Sequence, residues 1–166
     1  IPYFFKGSVT SNDKQVFYAA MKQIEDRSCF KFEENSGEPA EHHLEISVGS
    51  TSCASVGFSA GVGISSSTKV TLQSSYQLAD SSQCNWQGGI LHELMHVLGV
   101  MHTQKRKDRD QHIIINRSNI QQSAGALYQY DTCEACNDYG VGYDCASIMH
   151  YGTCLLYTSP SPLDLS

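Results

Sequence analysis

The sequence predicts an α+β fold built as two lobes, and three observations carry that prediction. Apolar residues alternate with polar ones in several short stretches of the first half, and two longer stretches carry apolar residues at helical spacing. Beyond Gly99 this periodicity gives way to turn residues and cysteines. Sheet and helices should therefore come first and an irregular part second, with a cleft expected between the two.

Residues 1–5 are aromatic and β-prone, and residues 7–10 break the pattern, which predicts a short strand and a turn. Ser11 or Asn12 can cap a helix running to about Arg27, where Val16, Phe17, Ala20, Met21 and Ile24 form one apolar face. Phe30 and Phe32, then Leu44, Ile46 and Val48, then Val70 and Leu72, each alternate with polar neighbours and give three more strand candidates. His42 and His43 are expected at a surface or sheet edge. Residues 49–67 are rich in serine and glycine and predict a loop. Helical pattern returns over residues 87–98. After Gly99, residues 113–115 are a short apolar run, residues 117–123 suggest a helical turn, and residues 132–143 read as loop around a Cys-x-x-Cys.

The second helical stretch carries His92-Glu93-Leu94-Met95-His96-Val97-Leu98-Gly99-Val100-Met101-His102, which fits H-E-x-x-H-x-x-G-x-x-H. On a helix, His92 and His96 are one turn apart and share a face, so both imidazoles can reach one ion. Gly99 can take the left-handed conformation that ends a helix, and the turn would bring in His102. At this chain's residue frequencies the full pattern arises by chance about once in twenty thousand such chains, so an incidental set of histidines on a core helix is the weaker reading. Three neutral imidazoles around one cation leave a coordination position open, which points to a catalytic zinc site rather than a closed structural one.

A net charge of −6 argues against a general nucleic-acid binder. The cluster of Lys105, Arg106, Lys107 and Arg109, interleaved with Asp108 and Asp110, reads as a solvated loop. Seven cysteines in 166 residues suggest disulfides formed in a secretory compartment, with the odd count leaving at least one unpaired. The sequon Asn116-Arg117-Ser118 is consistent with export. No apolar run approaches the length of a membrane span. Cys133 and Cys136 can close a short local disulfide. A second zinc held by Cys133, Cys136, Cys145 and Cys154 is the alternative use of those residues.

Ser147-Ile148-Met149-His150-Tyr151 follows the long zinc motif, where metzincin proteases make a tight turn with a methionine beneath the metal. In this Ser-x-Met-His-Tyr form, together with Ile-Pro-Tyr at the start, Ser28-Cys29 and Asp108-Arg109-Asp110, the run from residue 1 to residue 152 resembles an astacin-family catalytic domain. The resemblance implies a two-lobed metzincin fold, with a mixed twisted sheet and two long helices above the cleft and an irregular lower lobe. It implies His92, His96 and His102 as ligands of one zinc ion, Glu93 as general base, Met149 as the turn residue and Tyr151 as a switching tyrosine that stabilises the tetrahedral intermediate. It also pairs Cys53 with Cys84, leaving Cys29, Cys145 and Cys154 unassigned.

The expected organisation is one catalytic domain over residues 1–166. Residues 1–98 would form the upper lobe with the active-site helix and residues 99–153 a partial lower lobe with the Met-turn. Residues 154–166, Ser-rich with Pro160 and Pro162, form an atypical tail expected to be disordered or non-native. Thr103 stands where the family commonly has a glutamate, and Cys145 where it usually has a tyrosine. The implied activity is that of a secreted zinc-dependent endopeptidase acting on protein or peptide substrates, a monomer by default. The alternative is a catalytically inactive zinc-bound scaffold or binding module lacking the rest of the lower lobe.

Overall fold

A computed structural model describes residues 1–49, 54–55, 67–73, 87–120 and 122–151. The architecture is α+β, as the sequence predicts. The chain divides into two compact units, Ile1–Val100 and Met101–Ser166.

Among the described residues the first unit holds the sheet and two long helices. Its strands are β1 (Pro2–Lys6), β2 (Glu33–Glu34), β3 (His43–Gly49), β4 (Ala54–Ser55) and β5 (Ser67–Gln73), in spatial order β2-β1-β3-β5-β4. Only the β4–β5 pair is antiparallel, so the sheet is mixed. Helices α1 (Ser11–Glu25) and α2 (Gln87–Val97) pack together over it.

Register explains which side chains form the core. Tyr3 lies beside Leu44 and Phe5 beside Ile46, so with a period of two these residues share one face. That face meets Phe17, Ala20, Met21 and Ile24 of α1 and Ile90 and Leu94 of α2 in a continuous apolar cluster. Phe17, Ala20, Ile46, Ile90 and Leu94 have no measurable exposure. The opposite face is covered as well: His43, expected at a surface or sheet edge, is buried against Phe4 in the central strand β3, and Glu45 is buried in an ion pair with Lys6 at 3.0 Å. A strand covered on both faces hides its polar positions too, which alternation alone does not reveal.

Local boundaries differ from expectation where side chains compete for backbone groups. Thr10, rather than Ser11 or Asn12, caps α1, because a capping box needs its partner at the third helical position and Asp13 stands there. Only Glu33 and Glu34 of the second strand candidate pair with β1, while Phe30 is exposed. Within the expected loop over residues 49–67, Ala54–Ser55 forms β4, and β5 begins at Ser67.

Among its described residues the second unit has one short helix, α3 (Ala124–Tyr128), and 3-10 turns at Thr103–Lys105, Arg109–Gln111 and Arg117–Asn119. Its apolar cluster is small: Ile113, Ile120 and Tyr130, with Tyr143 and Tyr151 packed against them. Side chains also hold it from within. The Lys105 ammonium is buried, donates to the Tyr128 carbonyl at 2.8 Å and lies 4.0 Å from the centre of the Tyr128 ring. Arg109 is buried and donates to the carbonyls of Gln104, at 3.0 Å, and Tyr130. Two residues of the cluster expected to be a solvated loop are thus interior cations. Cys133 and Cys136 form a disulfide, so the four-cysteine zinc arrangement does not arise, and Cys29 and Cys145 are exposed thiols. Cys53, Cys84, Cys154 and the tail lie outside the described residues.

Candidate metal centre

Helix α2 presents His92 and His96 because its own apolar positions orient it. Ile90 and Leu94 are fully buried in the core of the first unit, which leaves the intervening positions, Glu93 included, half-exposed. The two imidazoles stand edge to face with ring centres 4.7 Å apart, as the one-turn spacing predicts.

The helix ends where the glycine stands. Gly99 has φ +88°, and its N–H donates to the His96 carbonyl at 2.9 Å while the Val100 N–H donates to Met95 at 3.0 Å. A residue with a β-carbon is strained in that conformation, so this position favours glycine strongly. The reversal brings the Val100 carbonyl to 2.7 Å from His96 Nδ1. A carbonyl can only accept, so Nδ1 carries the proton and Nε2 keeps the lone pair a metal needs. Burial first of all lowers the His96 pKa, which favours the neutral ring.

His102 follows in extended conformation, ahead of the 3-10 turn Thr103–Lys105. One nitrogen from each of His92, His96 and His102 lies within 4.8 Å of the others. Tetrahedral zinc with bonds of about 2.0–2.1 Å needs nitrogens roughly 3.4 Å apart, and three neutral imidazoles are a donor set zinc prefers. The residues therefore fit one zinc ion.

The residues after the Cys-x-x-Cys form the second part of the candidate site. The His150 N–H donates to the Ser147 carbonyl at 2.9 Å and the Met149 N–H to Ser147 Oγ at 3.2 Å, which makes Ser147 to His150 a tight turn. Met149 is buried, and its carbonyl accepts the Thr103 N–H at 2.9 Å. The Tyr151 ring centre is 4.5 Å from that of His102, and its hydroxyl donates to Gln129 Oε1 at 3.4 Å. His150, for which the sequence suggests no role, donates from Nδ1 to the Tyr151 carbonyl at 2.7 Å, so its Nε2 accepts the Tyr143 hydroxyl at 2.9 Å. Burial, followed by the nearby Cys145 thiol, pushes the Tyr143 pKa up to about 12 and keeps that hydroxyl protonated.

Sequence reasoning singled out His92, Glu93, His96, His102, Met149 and Tyr151. It missed Gln104 and Gln129, neither of which has a local pattern, and it read Arg109 as motif without foreseeing its burial.

Comparison with known proteins agrees with this geometry. The family model of the Astacin peptidase family matches residues 1–161. Protein SpAN of Strongylocentrotus purpuratus is 32% identical over 152 residues, 92% of this chain and 23% of that protein. Tolloid-like protein 2 of Homo sapiens is 33% identical over 153 residues, 91% of this chain and 14% of that protein. The chain therefore spans less than a quarter of the length of either relative. High choriolytic enzyme 1, a hatching enzyme zinc-protease from Oryzias latipes (medaka fish), has a solved structure that overlays with a TM-score of 0.74 at 28% identity, covering 98% of this chain and 76% of that one. A family match through nearly the whole chain, with the three histidines gathered as that family's zinc motif requires, means that this chain belongs to the astacin family of zinc metalloendopeptidases.

Proposed function

We propose that this chain is the catalytic part of a secreted endopeptidase that hydrolyses internal bonds of proteins or peptides with one zinc ion. The observation that carries this reading is the histidine cluster with Glu93 next to His92 at half-exposed positions of α2. When bound by His92, His96 and His102, zinc supplies Lewis acidity towards a peptide carbonyl and makes a water more acidic. Glu93 takes the proton of the attacking water and returns it to the departing amine. The Tyr151 hydroxyl leaves its long contact with Gln129 and donates to the oxygen on which negative charge develops, a contribution typical of preorganised donors. Met149, buried and tied to Thr103, sets the turn that holds Tyr151 next to His102.

The secretory assignment is supported by the Cys133–Cys136 disulfide and by the cysteine count. Among the described residues no helix is long and apolar enough to cross a membrane.

The test is hydrolysis of a mixed peptide library at measured zinc content, with Glu93→Gln alongside. The variant is expected to keep one zinc per chain and to lose about 10²- to 10⁴-fold in turnover. Normal turnover in Glu93→Gln would remove Glu93 as the base. Stoichiometric zinc without cleavage in the unmodified chain would favour a zinc-bound scaffold.

A further inference from the structure

We infer that Gln104 is a positioning residue for Tyr151, and this rests on the role proposed above for that tyrosine. Gln104 is fully buried, two residues beyond His102. Its Oε1 accepts the backbone N–H of Tyr151 at 3.2 Å across 47 positions of sequence. Its Nε2 is buried and has no hydrogen-bond partner among the described residues. A side chain kept only to fill volume would be leucine or methionine, which bury no unpaired donor. What the carboxamide offers here is an acceptor, and its recipient is Tyr151.

The surroundings hold that acceptor still. The Gln104 carbonyl takes a hydrogen bond from Arg109 at 3.0 Å, the same guanidinium donates to the Tyr130 carbonyl, and the Tyr130 ring meets Tyr151 edge-on at 6.0 Å. One residue earlier, the Thr103 N–H donates to the Met149 carbonyl at 2.9 Å. The turn after His102 therefore grips the Met149–Tyr151 backbone at two points. Only the second grip is made by a side chain, and so only it can be removed by substitution. Fixing the Tyr151 backbone through Gln104 holds the ring beside His102, where the proposed role of the hydroxyl needs it.

Gln104→Met removes the acceptor and the orphaned donor together and keeps the volume, whereas Gln104→Glu keeps an oxygen in place. With zinc content measured on each, Gln104→Met should retain one zinc per chain and an unchanged KM and lose roughly 10- to 100-fold in kcat. Gln104→Glu should stay within about threefold of the unmodified chain. In a Tyr151→Phe background, Gln104→Met should cost less than about twofold more, because the group it positions is already gone. A loss that multiplies fully in that background overturns the proposal.

If Tyr151→Phe alone leaves kcat unchanged, the catalytic reading of the tyrosine fails. The positioning claim is then decided by NMR of the zinc-loaded chain. Gln104→Met should shift the His102 ring protons that the Tyr151 ring shields, and unchanged shifts overturn it. Hydrogen exchange of the unmodified chain needs no variant. The Tyr151 amide should be protected to a degree similar to that of Thr103, and free exchange at Tyr151 would sink the proposal.

Discussion

The two units of this chain are held together by different physics. The first, Ile1–Val100, buries an apolar cluster of regular elements, with Phe17 of α1 set among strand and helix side chains. The second, Met101–Ser166, has little regular structure and a small apolar cluster among its described residues, and several of its carbonyls are satisfied by buried side chains. Hydrophobic burial is non-directional and tolerates small shifts of backbone, whereas hydrogen bonds from a buried cation fix geometry. The proposed Tyr151 function needs a fixed geometry, and it lies in the unit built that way.

Truncation should expose this difference. In the first unit, Phe17→Ala leaves a cavity at a fully buried position of the core and is expected to cost about 3–5 kcal/mol in unfolding free energy. Denaturant titration measures it, and a cost below about 1 kcal/mol would mean the cluster is loosely packed. In the second unit, Arg109→Met takes the guanidinium donor away from the carbonyls of Gln104 and Tyr130. The expected cost is about 2–4 kcal/mol, and Arg109→Lys should recover only part of it because one ammonium cannot reproduce the planar fork. Full recovery by lysine would show that charge rather than geometry is what this unit uses.

Legibility from sequence follows the same division. The faces of α1 and β3 were readable because burial there repeats with the period of the element, so Phe17, Ala20, Met21, Ile24, Leu44 and Ile46 could be placed from their spacing alone. His43 escaped because β3 is covered on both faces. His92, His96 and His102 were legible because zinc chemistry fixes their spacing. Gln104 was not, because its partner Tyr151 is remote in sequence and one buried amide makes no pattern. The burial of Lys105 and Arg109 was hidden for a related reason: a run of charges reads as solvated unless the carbonyls that satisfy it are known.

The disulfide gives a smaller effect within the second unit. Cys133–Cys136 closes a loop only three residues apart, so the unfolded chain gains little freedom when it opens. Replacing both cysteines by serine should cost about 2 kcal/mol. The Cys133 N–H also donates to the Lys105 carbonyl at 2.7 Å, which ties this loop to the turn following His102. If the double variant loses zinc affinity as well as stability, the disulfide supports the geometry of that turn and not only the loop. Isothermal titration with zinc after measured unfolding separates the two.

The smallest effect belongs to the first unit and tests whether any of its polar contacts behave like those of the second. Glu34 accepts from the Tyr18 hydroxyl at 2.7 Å, from Lys14 at 3.2 Å and from the Tyr3 hydroxyl at 3.3 Å. The Tyr18 bond above all holds its carboxyl pKa below the ordinary 4.5. The unfolded chain then takes up a proton before the folded one as pH falls. The contribution of Glu34 is present above pH 4.5 and is lost as pH drops through the lower folded value. Tyr18 has the opposite sign. The same bond raises its pKa to about 12, so stability is lost as pH rises from 10 towards 12. The Glu34 side chain is about a third exposed, at 36%, and solvent screening keeps its contribution below about 1 kcal/mol. Glu34→Gln should therefore be slightly less stable than the unmodified chain at about pH 7, and the difference should shrink as pH falls below 4.5. Unfolding curves whose difference stays constant across that range would show that the shared carboxylate contributes packing and not charge.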